Sequence, residues 1–359
     1  MKNDNYLYEI HMIRALSCLL ILVIHVTGSY YYIHDQHHEW YTLLLNQMSR
    51  YGINLFIMIS GFLLFYHRKI KGFQAKHYWK SRTSKVIIPF LAFTVFYQII
   101  SYLYSGHTNF AFSIEYFYQM LYLGEGFYHL WFFSLVLQFY LIFPLLQKWV
   151  DSPKQWNIML VGSLIVQLLF LKLLPLYLHW EKVYVFNWIF YFILGGYLAQ
   201  YWTTIRDWIQ SHPKINLALA FVVLADGLWS FYRIRLIAEY RLENMIIVPI
   251  LFIVLIGIYP KIKQITKLDK TLTSIGEYSM GIYVMHPLFI YYGAFMPAFF
   301  WHPAAIGFAF LFYLIVSVIS LKIFEKVPYY QYFIPIPKVR NNPTKTNTQS
   351  YSGPSYIAK

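Results

Sequence analysis

The sequence has little charge and almost no cysteine. Charged residues make up 12% of its 359 positions, about half the fraction found in an ordinary soluble domain. That is too little charge to cover the surface of a water-soluble globule of this size. Cys18 is the single cysteine, and one cysteine cannot form an intrachain bridge, so a disulfide scaffold is excluded.

Apolar and aromatic residues are abundant instead. They reach 58% and 21% of the chain, with 35 tyrosines, 31 phenylalanines and 11 tryptophans. A disordered chain cannot have this composition, because such chains are poor in aromatic and apolar residues. The composition therefore predicts a membrane protein that crosses the bilayer many times.

Ten hydrophobic runs of roughly 17–25 residues are long enough to cross a ~30 Å hydrocarbon core as helices. A β-barrel is not expected, because the runs do not alternate between apolar and polar residues. The sequence thus predicts an all-α polytopic membrane protein with about ten transmembrane helices in one domain, 1–334, followed by a polar, disordered tail, 335–359. Pro287 and Pro297 are expected to interrupt the ninth run. The runs lie at about 12–31, 47–66, 86–104, 128–147, 157–178, 184–202, 214–232, 244–260, 278–298 and 304–324.

The positive charges lie in alternate loops, which predicts the orientation. Loops 67–85 and 261–277 are rich in lysine, whereas 32–46 and 105–127 contain acids but no lysine or arginine. Because cytoplasmic loops of membrane proteins carry the excess of lysine and arginine, both termini are expected in the cytoplasm. The same distribution argues against nucleic-acid binding as the reason for the formal charge of +14.

Two ionisable residues in the first run attract attention, because such groups are costly inside a bilayer. Arg14 and His25 are eleven positions apart, so on a helix they differ by only about 20° in direction and by about 16 Å along the axis. Both then face the same neighbours. A snorkelling arginine beside a hydrogen-bonded interior histidine is the structural alternative to a functional pair.

Five segments of the chain form a recognisable series. They are the pair Arg14 and His25 with ten residues between them, YGINLFIMISGFLLF at 51–65, SRTSKVIIP at 81–89, HLWFFSLVLQFY at 129–140 and EYSMGIYVMHPLF at 277–289. In this order they resemble sequence blocks of the membrane acyltransferase-3 family, whose members are integral-membrane O-acyltransferases that often acetylate carbohydrates. The pattern is also similar to a subgroup encoded in staphylococcal biofilm operons, described as exporters or O-acyltransferases of poly-N-acetylglucosamine.

Two positions depart from the family pattern. The family has two arginines in its cytoplasmic segment, whereas this chain has Arg82 and Lys85. Lysine keeps the charge but loses the two-pronged geometry with which arginine holds phosphate. Asn54 stands where many members have an acid, so no carboxylate is available from that position.

The resemblance implies acyl transfer from acyl-CoA to a hydroxyl of a carbohydrate or exopolysaccharide, with an acetyl group as the expected cargo. Arg14, Arg82 and Lys85 are the expected donor-binding residues, since cations suit the phosphates of coenzyme A. His25 is the expected catalytic residue. It would act as the general base for the hydroxyl, since imidazole titrates near neutral pH, or would form a transient acyl-histidine.

Other polar residues are supporting candidates that orient the base, hold an oxyanion or pack helices together. Asp226, an acid within the seventh run, is expected first to form a structural pair, with Lys172, His25 or a substrate hydroxyl as its partner. No metal site and no bound cofactor are expected. The supporting candidates are Asn54, Ser60, His129, Trp131, Asp226, Tyr283 and His286.

The sequence therefore favours an acyl-CoA-dependent O-acyltransferase in the bacterial plasma membrane, with acyl-CoA, a glycan acceptor and membrane lipid as partners. The alternative is a polysaccharide exporter, in which the aromatic residues would line a sugar path without acyl transfer. The oligomeric state, the acyl group and the acceptor are not encoded in any motif.

Overall fold

The computed structural model describes residues 6–105, 113–173, 181–234 and 241–336. Within these ranges the chain is helical and contains no β-strand, which confirms the predicted all-α fold. Residues 337–359 of the predicted tail lie outside the described residues. The α-helices of the described ranges are α1 (Tyr8–Ile33), α2 (Trp40–Ser49), α3 (Tyr51–Lys71), α4 (Ala75–Arg82), α5 (Ile88–Ser105), α6 (Ile114–Phe117), α7 (Trp131–Leu146), α8 (Pro153–Leu173), α9 (Ile189–Gln200), α10 (Trp202–Ser211), α11 (Pro213–Ile234), α12 (Asn244–Gln264), α13 (Thr266–Tyr291) and α14 (Ile306–Phe324).

In the described part of the chain, eight helical segments are long and apolar enough to cross a membrane, which confirms a polytopic membrane protein. They are α1, α2 with α3, α4 with α5, α7, α8, α11, α12 and α14. The predicted run at 184–202 instead contains the 12-residue helix α9, about 18 Å long, because single tight turns precede it. The 26-residue α13 carries several charges in its first half. The count of ten spans and the cytoplasmic termini stay predictions.

Helices α1 and α13 are parallel neighbours. The contacts run in the same order along both helices, from His11 against Gly276, through Arg14 with Ser279, to His25 beside His286. A methyl group at Gly276 would overlap the His11 carbonyl oxygen, so the two backbones touch there. Small residues permit this kind of close approach between membrane helices. Here it brings Arg14 and His25 of α1 next to Ser279 and His286 of α13.

Helices α3 and α9 form a second close pair in the described structure. A side chain at Gly61 would overlap the carbonyl of Phe192, and one at Gly195 would overlap the carbonyl of Met58. The SGF segment of α3 therefore serves as a surface for backbone contact. Small residues allow such close approaches between membrane helices, and Gly61 is one of them.

The helix that joins α4 to α5 contains a wider π-helical turn at Thr83–Ile87. Pro89 explains its position, because proline lacks an N–H and its ring collides with the carbonyl four residues earlier, which is that of Lys85. The Ile88 N–H donates to the carbonyl five residues earlier, that of Thr83, rather than to the one four residues earlier. Widened turns of this kind occur frequently at functional sites, and this one begins directly after Arg82 and contains Lys85.

Candidate active site

Three histidines from separate parts of the chain lie together in the bundle, nearer the C-terminal end of α1. His25 on α1 and His286 on α13 have ring centroids 5.2 Å apart. His129, in the segment before α7, lies 6.2 Å from His286. His129 and His286 are each 1% exposed, whereas His25 is only partly buried. The predicted catalytic histidine thus lies against a sealed histidine and keeps an accessible side.

The orientation of the His286 ring is set by its own helix. Its Nδ1 lies 2.8 Å from the Ile282 carbonyl oxygen, and the ring also bonds to the Tyr283 carbonyl. That carbonyl has no helical partner, because Pro287 has no N–H to donate. Helix α13 continues through Pro287, so the predicted interruption at that residue is wrong, and the histidine compensates for the missing bond.

His129 is enclosed by tyrosines. The Tyr283 hydroxyl donates to the His129 backbone carbonyl, and the ring of Tyr97 lies 5.1 Å from the imidazole. Both imidazole nitrogens are buried without a hydrogen-bond partner among the described residues. A neutral imidazole in this position has one N–H donor and one bare nitrogen.

Tyr128 connects this cluster to open space. Its ring lies 5.0 Å from that of His25 and packs against Phe127 at 4.8 Å. The residue is nevertheless 48% exposed. An accessible aromatic face therefore lies directly beside the partly buried His25.

Arg14 occupies the other end of the same helical face. Because α1 is continuous from Tyr8 to Ile33, the predicted separation of about 16 Å from His25 applies to the folded chain. The Arg14 Nη2 donates to the Ser279 hydroxyl at 3.0 Å. The guanidinium is also close enough to Tyr140 for an electrostatic interaction.

Arg82 reaches the same tyrosine from a different helix. Its guanidinium lies over the rings of Tyr140 at 4.9 Å and Tyr78 at 5.6 Å, within cation–π range. The Arg82 Nε is buried without a hydrogen-bond partner in the described residues. Lys85 is exposed, and both cations lie near His67. We call Arg14, Arg82 and Lys85 the cationic patch.

Three supporting candidates lie in helix contacts. Ser60 donates to a carbonyl one turn earlier on α3 at 2.9 Å. Asn54 is fully buried and interacts with Tyr191 on α9. Trp131, at the start of α7, is partly buried with its ring 6.2 Å from that of Trp188. The Ser60 bond stays within α3, whereas the contacts of Asn54 and Trp131 join separate segments of the bundle.

Asp226 forms a structural pair, but with a partner that the sequence did not predict. Its carboxylate pairs with Arg241 and accepts a hydrogen bond from the Tyr51 hydroxyl at 3.0 Å. The predicted partners Lys172 and His25 are therefore wrong. Arg241 comes just before α12, so the chain returns past the end of α11 and brings the arginine to the acid. The pair ties α11, α12 and α3 together.

Metal ligation is not a property of the histidine cluster. Among the residues that the structure describes, no group of three histidine, cysteine, aspartate or glutamate side chains has the geometry to hold a metal ion. This includes the cluster of His25, His129 and His286.

Three residues at the site were not among the sequence-based candidates. Ser279 accepts a hydrogen bond from Arg14, Tyr140 interacts with both arginines, and Tyr128 lies beside His25. Ser279 and Tyr140 fall inside two of the family-like segments, so position in a motif was the available signal. Tyr128 precedes the histidine of another such segment, and no periodicity distinguishes it from the other 34 tyrosines.

The fold and site define a multi-pass helical membrane protein in which the α1–α13 pair contributes His25 and His286 to a histidine cluster and Arg14 to a cationic patch. Comparison with known families matches residues 7–323 to the acyltransferase domain of the acyltransferase-3 type. The chain belongs to this family, and its general chemistry is acyl transfer. Its location is the bacterial plasma membrane.

The similar curated proteins carry a different kind of name. A probable poly-beta-1,6-N-acetyl-D-glucosamine export protein of Staphylococcus aureus is 26% identical over 305 residues, covering 79% of this chain and 82% of that protein. The protein of the same name from Staphylococcus epidermidis is 24% identical over 310 residues, covering 79% and 81%. No solved structure matches the chain.

Proposed function

We propose that this protein is a membrane O-acyltransferase that moves an acyl group, expected to be acetyl, from acyl-CoA to a hydroxyl of a cell-surface polysaccharide. The observation that carries the proposal is the arrangement on α1 and α13. Arg14 and His25 share one face of α1 about 16 Å apart, and each has a neighbour on α13, Ser279 and His286.

The cationic patch is the proposed binding site for the donor. Coenzyme A carries several phosphate charges, and arginine binds phosphate with two parallel hydrogen bonds. The buried, unpartnered Nε of Arg82 supports this role, because a buried donor without an acceptor is costly. The distance of about 16 Å between Arg14 and His25 is one that a pantetheine arm can cover.

His25 is the proposed general base. It takes the proton from the acceptor hydroxyl while the hydroxyl oxygen attacks the thioester carbonyl carbon. The carbon–sulfur bond then breaks, and the proton passes to the departing thiolate, which leaves as the free coenzyme thiol. The N–H of neutral His129 is a candidate donor to the oxyanion that forms on the carbonyl oxygen.

The acceptor is proposed to approach past Tyr128. An exposed aromatic ring offers a flat apolar face to a sugar, and Tyr128 has such a face next to His25. The names of the similar staphylococcal proteins refer to a polysaccharide of N-acetylglucosamine, which supports a glycan as the class of acceptor.

The test is acyl transfer by purified protein from labelled acetyl-CoA to candidate glycans, measured per folded molecule. A positioned base contributes about 10²–10⁴-fold, so His25→Ala and His25→Gln should both lose activity by that factor. Coenzyme binding should persist in both variants. Normal turnover in His25→Gln would contradict the assignment, because glutamine cannot act as the base.

Export of polysaccharide is the second candidate, favoured by the printed names of the relatives. It predicts loss of secreted glycan in a strain that lacks the protein, with no transfer of label by the purified protein. Secretion that continues without the protein, but of a glycan lacking its acyl groups, would favour the acyltransferase.

A further inference from the structure

His25 has no acidic partner in the described structure. A catalytic histidine usually has a carboxylate that holds one tautomer and stabilises the imidazolium. The titratable group that acts electrostatically on His25 is His286, and the residue at the position of the family's acid is Asn54, an amide. The orienting role therefore falls to some other group.

The tautomer of His286 follows from its hydrogen bonds. A backbone carbonyl can only accept, so the Nδ1 that lies 2.8 Å from the Ile282 oxygen must carry the proton. In a neutral imidazole the other nitrogen is then a bare acceptor. That atom, Nε2, is buried and has no partner among the described residues. His286 thus offers one fixed acceptor to its surroundings.

The separation of the two rings fits a hydrogen bond between them. An N–H···N bond of about 3 Å between two imidazoles puts their ring centroids about 5 Å apart. The rings of His25 and His286 are 5.2 Å apart and tilted by 34°. A small rotation of the partly buried His25 side chain is enough to aim one N–H at the His286 Nε2.

We propose that His286 is a positioning residue for His25: its Nε2 accepts the N–H of His25 and so leaves the second His25 nitrogen bare for the acceptor hydroxyl. This inference rests on the proposed function of His25. It gives a neutral histidine the place that a carboxylate occupies in a serine protease triad.

His129 does not fit this role. No hydrogen bond to its ring nitrogens fixes its tautomer in the described structure, and its nearest histidine is His286 at 6.2 Å. The His286 ring, by contrast, is held by two carbonyls of its own helix. A ring can fix the tautomer of its neighbour only if its own orientation and its own tautomer are fixed.

The kinetic test compares His286→Ala with His286→Gln. Alanine removes the acceptor, so kcat should fall about 10- to 100-fold while the KM values for both substrates stay within about twofold, since a positioning partner acts on the chemical step. Glutamine keeps an acceptor oxygen and should restore most of the loss. Equal activity of the two variants per folded molecule, or an unchanged kcat in His286→Ala, would overturn the proposal.

A matched control lies on α1. His34 also bonds through Nδ1 to the carbonyl four residues earlier, that of Tyr30 at 2.9 Å, but it is nine positions beyond His25. His34→Ala removes the same local bond and should leave kcat unchanged. A comparable loss in His34→Ala would assign the effect of His286→Ala to helix structure.

A spectroscopic test does not depend on activity. In protein labelled with ¹⁵N-histidine and embedded in lipid, the signals lost in His286→Gln identify its two nitrogens. Nδ1 should be protonated and Nε2 bare, and His25→Ala should move the Nε2 signal toward that of an acceptor without a hydrogen bond. A protonated Nε2, or a signal that ignores His25→Ala, would overturn the proposal even if acyl transfer is demonstrated. If the parent shows no acyl transfer but the Nε2 responds, the proposed function fails and the hydrogen bond stands.

Discussion

The imidazole rings of His25 and His286 lie 5.2 Å apart, although 261 positions separate them in the sequence. Two parallel helices bring them together, and the same pairing gives Arg14 its bond to Ser279. One helix contact thus organises both the proposed reaction centre and one end of the cationic patch. Changes at either end of this contact should have separable effects on chemistry and on donor binding.

Loss of charge in the cationic patch should weaken donor binding. Arg14→Gln, Arg82→Gln and Lys85→Gln each remove a partner for a phosphate, and a charge-assisted hydrogen bond contributes about 1.5–3 kcal/mol, or roughly 10- to 100-fold in Kd. Exposed Lys85 should have the smallest effect. Calorimetry with coenzyme A in detergent measures the affinities.

The control for this experiment is Lys263→Gln, an exposed cation on α12 outside the cationic patch. It should leave the affinity unchanged. Arg82→Lys keeps the charge but loses the two-pronged geometry, so it should fall between the parent and Arg82→Gln. Unchanged affinity in all three patch variants would show that these residues do not bind the donor and that their charge serves only to orient the protein in the membrane.

Removal of the exposed ring beside His25 should weaken acceptor binding. An aromatic contact contributes about 0.5–1.5 kcal/mol, so Tyr128→Ala should raise the KM for the glycan roughly 2- to 10-fold. Tyr128→Phe keeps the ring and should resemble the parent. Tyr32→Ala removes another exposed tyrosine and serves as the control. An unchanged KM in Tyr128→Ala would exclude this path for the acceptor.

The sequence predicted the fold class and much of the site for physical reasons. The runs of apolar residues are long enough to require helices in a bilayer, and a fixed spacing on one helix placed Arg14 and His25 on a shared face. What spacing cannot reveal is which helix lies opposite. The partners Ser279, Tyr140 and Arg241 come from distant segments, and their contacts depend on close approaches such as that at Gly276.

Breaking the pair between Asp226 and Arg241 should destabilise the protein. Their side chains are 16% and 10% exposed, and removal of one partner of a buried pair costs about 3–5 kcal/mol because the other charge is left alone. Asp226→Asn should therefore lower the melting temperature in detergent, and the double variant with Arg241→Gln should recover part of the loss. Acyl transfer per folded molecule should be retained.

The exposed pair of Arg206 and Asp207 gives the matched comparison, because the Asp207 side chain is 66% exposed. Asp207→Asn should change the melting temperature little, since exposed pairs contribute about 0–1 kcal/mol. Equal melting temperatures for Asp226→Asn and the parent would show that the buried pair contributes no net stability. Loss of acyl transfer in folded Asp226→Asn would show that Asp226 takes part in the active site.

The predicted orientation can be measured with single cysteines. Lys76 and Gln36 are both exposed, and the native Cys18 is buried, so Cys18→Ala gives a background without a thiol. A maleimide that cannot cross membranes should label Gln36→Cys on intact cells and label Lys76→Cys only after the cells are broken. The reverse pattern would overturn the assignment of the lysine-rich loops to the cytoplasm.

The contact between α1 and α13 should tolerate no side chain at Gly276. A methyl group there would overlap the His11 carbonyl, so Gly276→Ala must push the helices apart, and overpacking of this kind costs about 1–3 kcal/mol. The shift would also move His286 away from His25, so kcat should fall together with the melting temperature. Gly28→Ala is the control, since it lies on α1 with nothing within 4 Å of the added methyl group and alanine favours a helix over glycine by about 1 kcal/mol. It should keep full activity and be at least as stable as the parent. If Gly276→Ala retained both stability and kcat, the spacing of the two helices would not control the positions of the histidines.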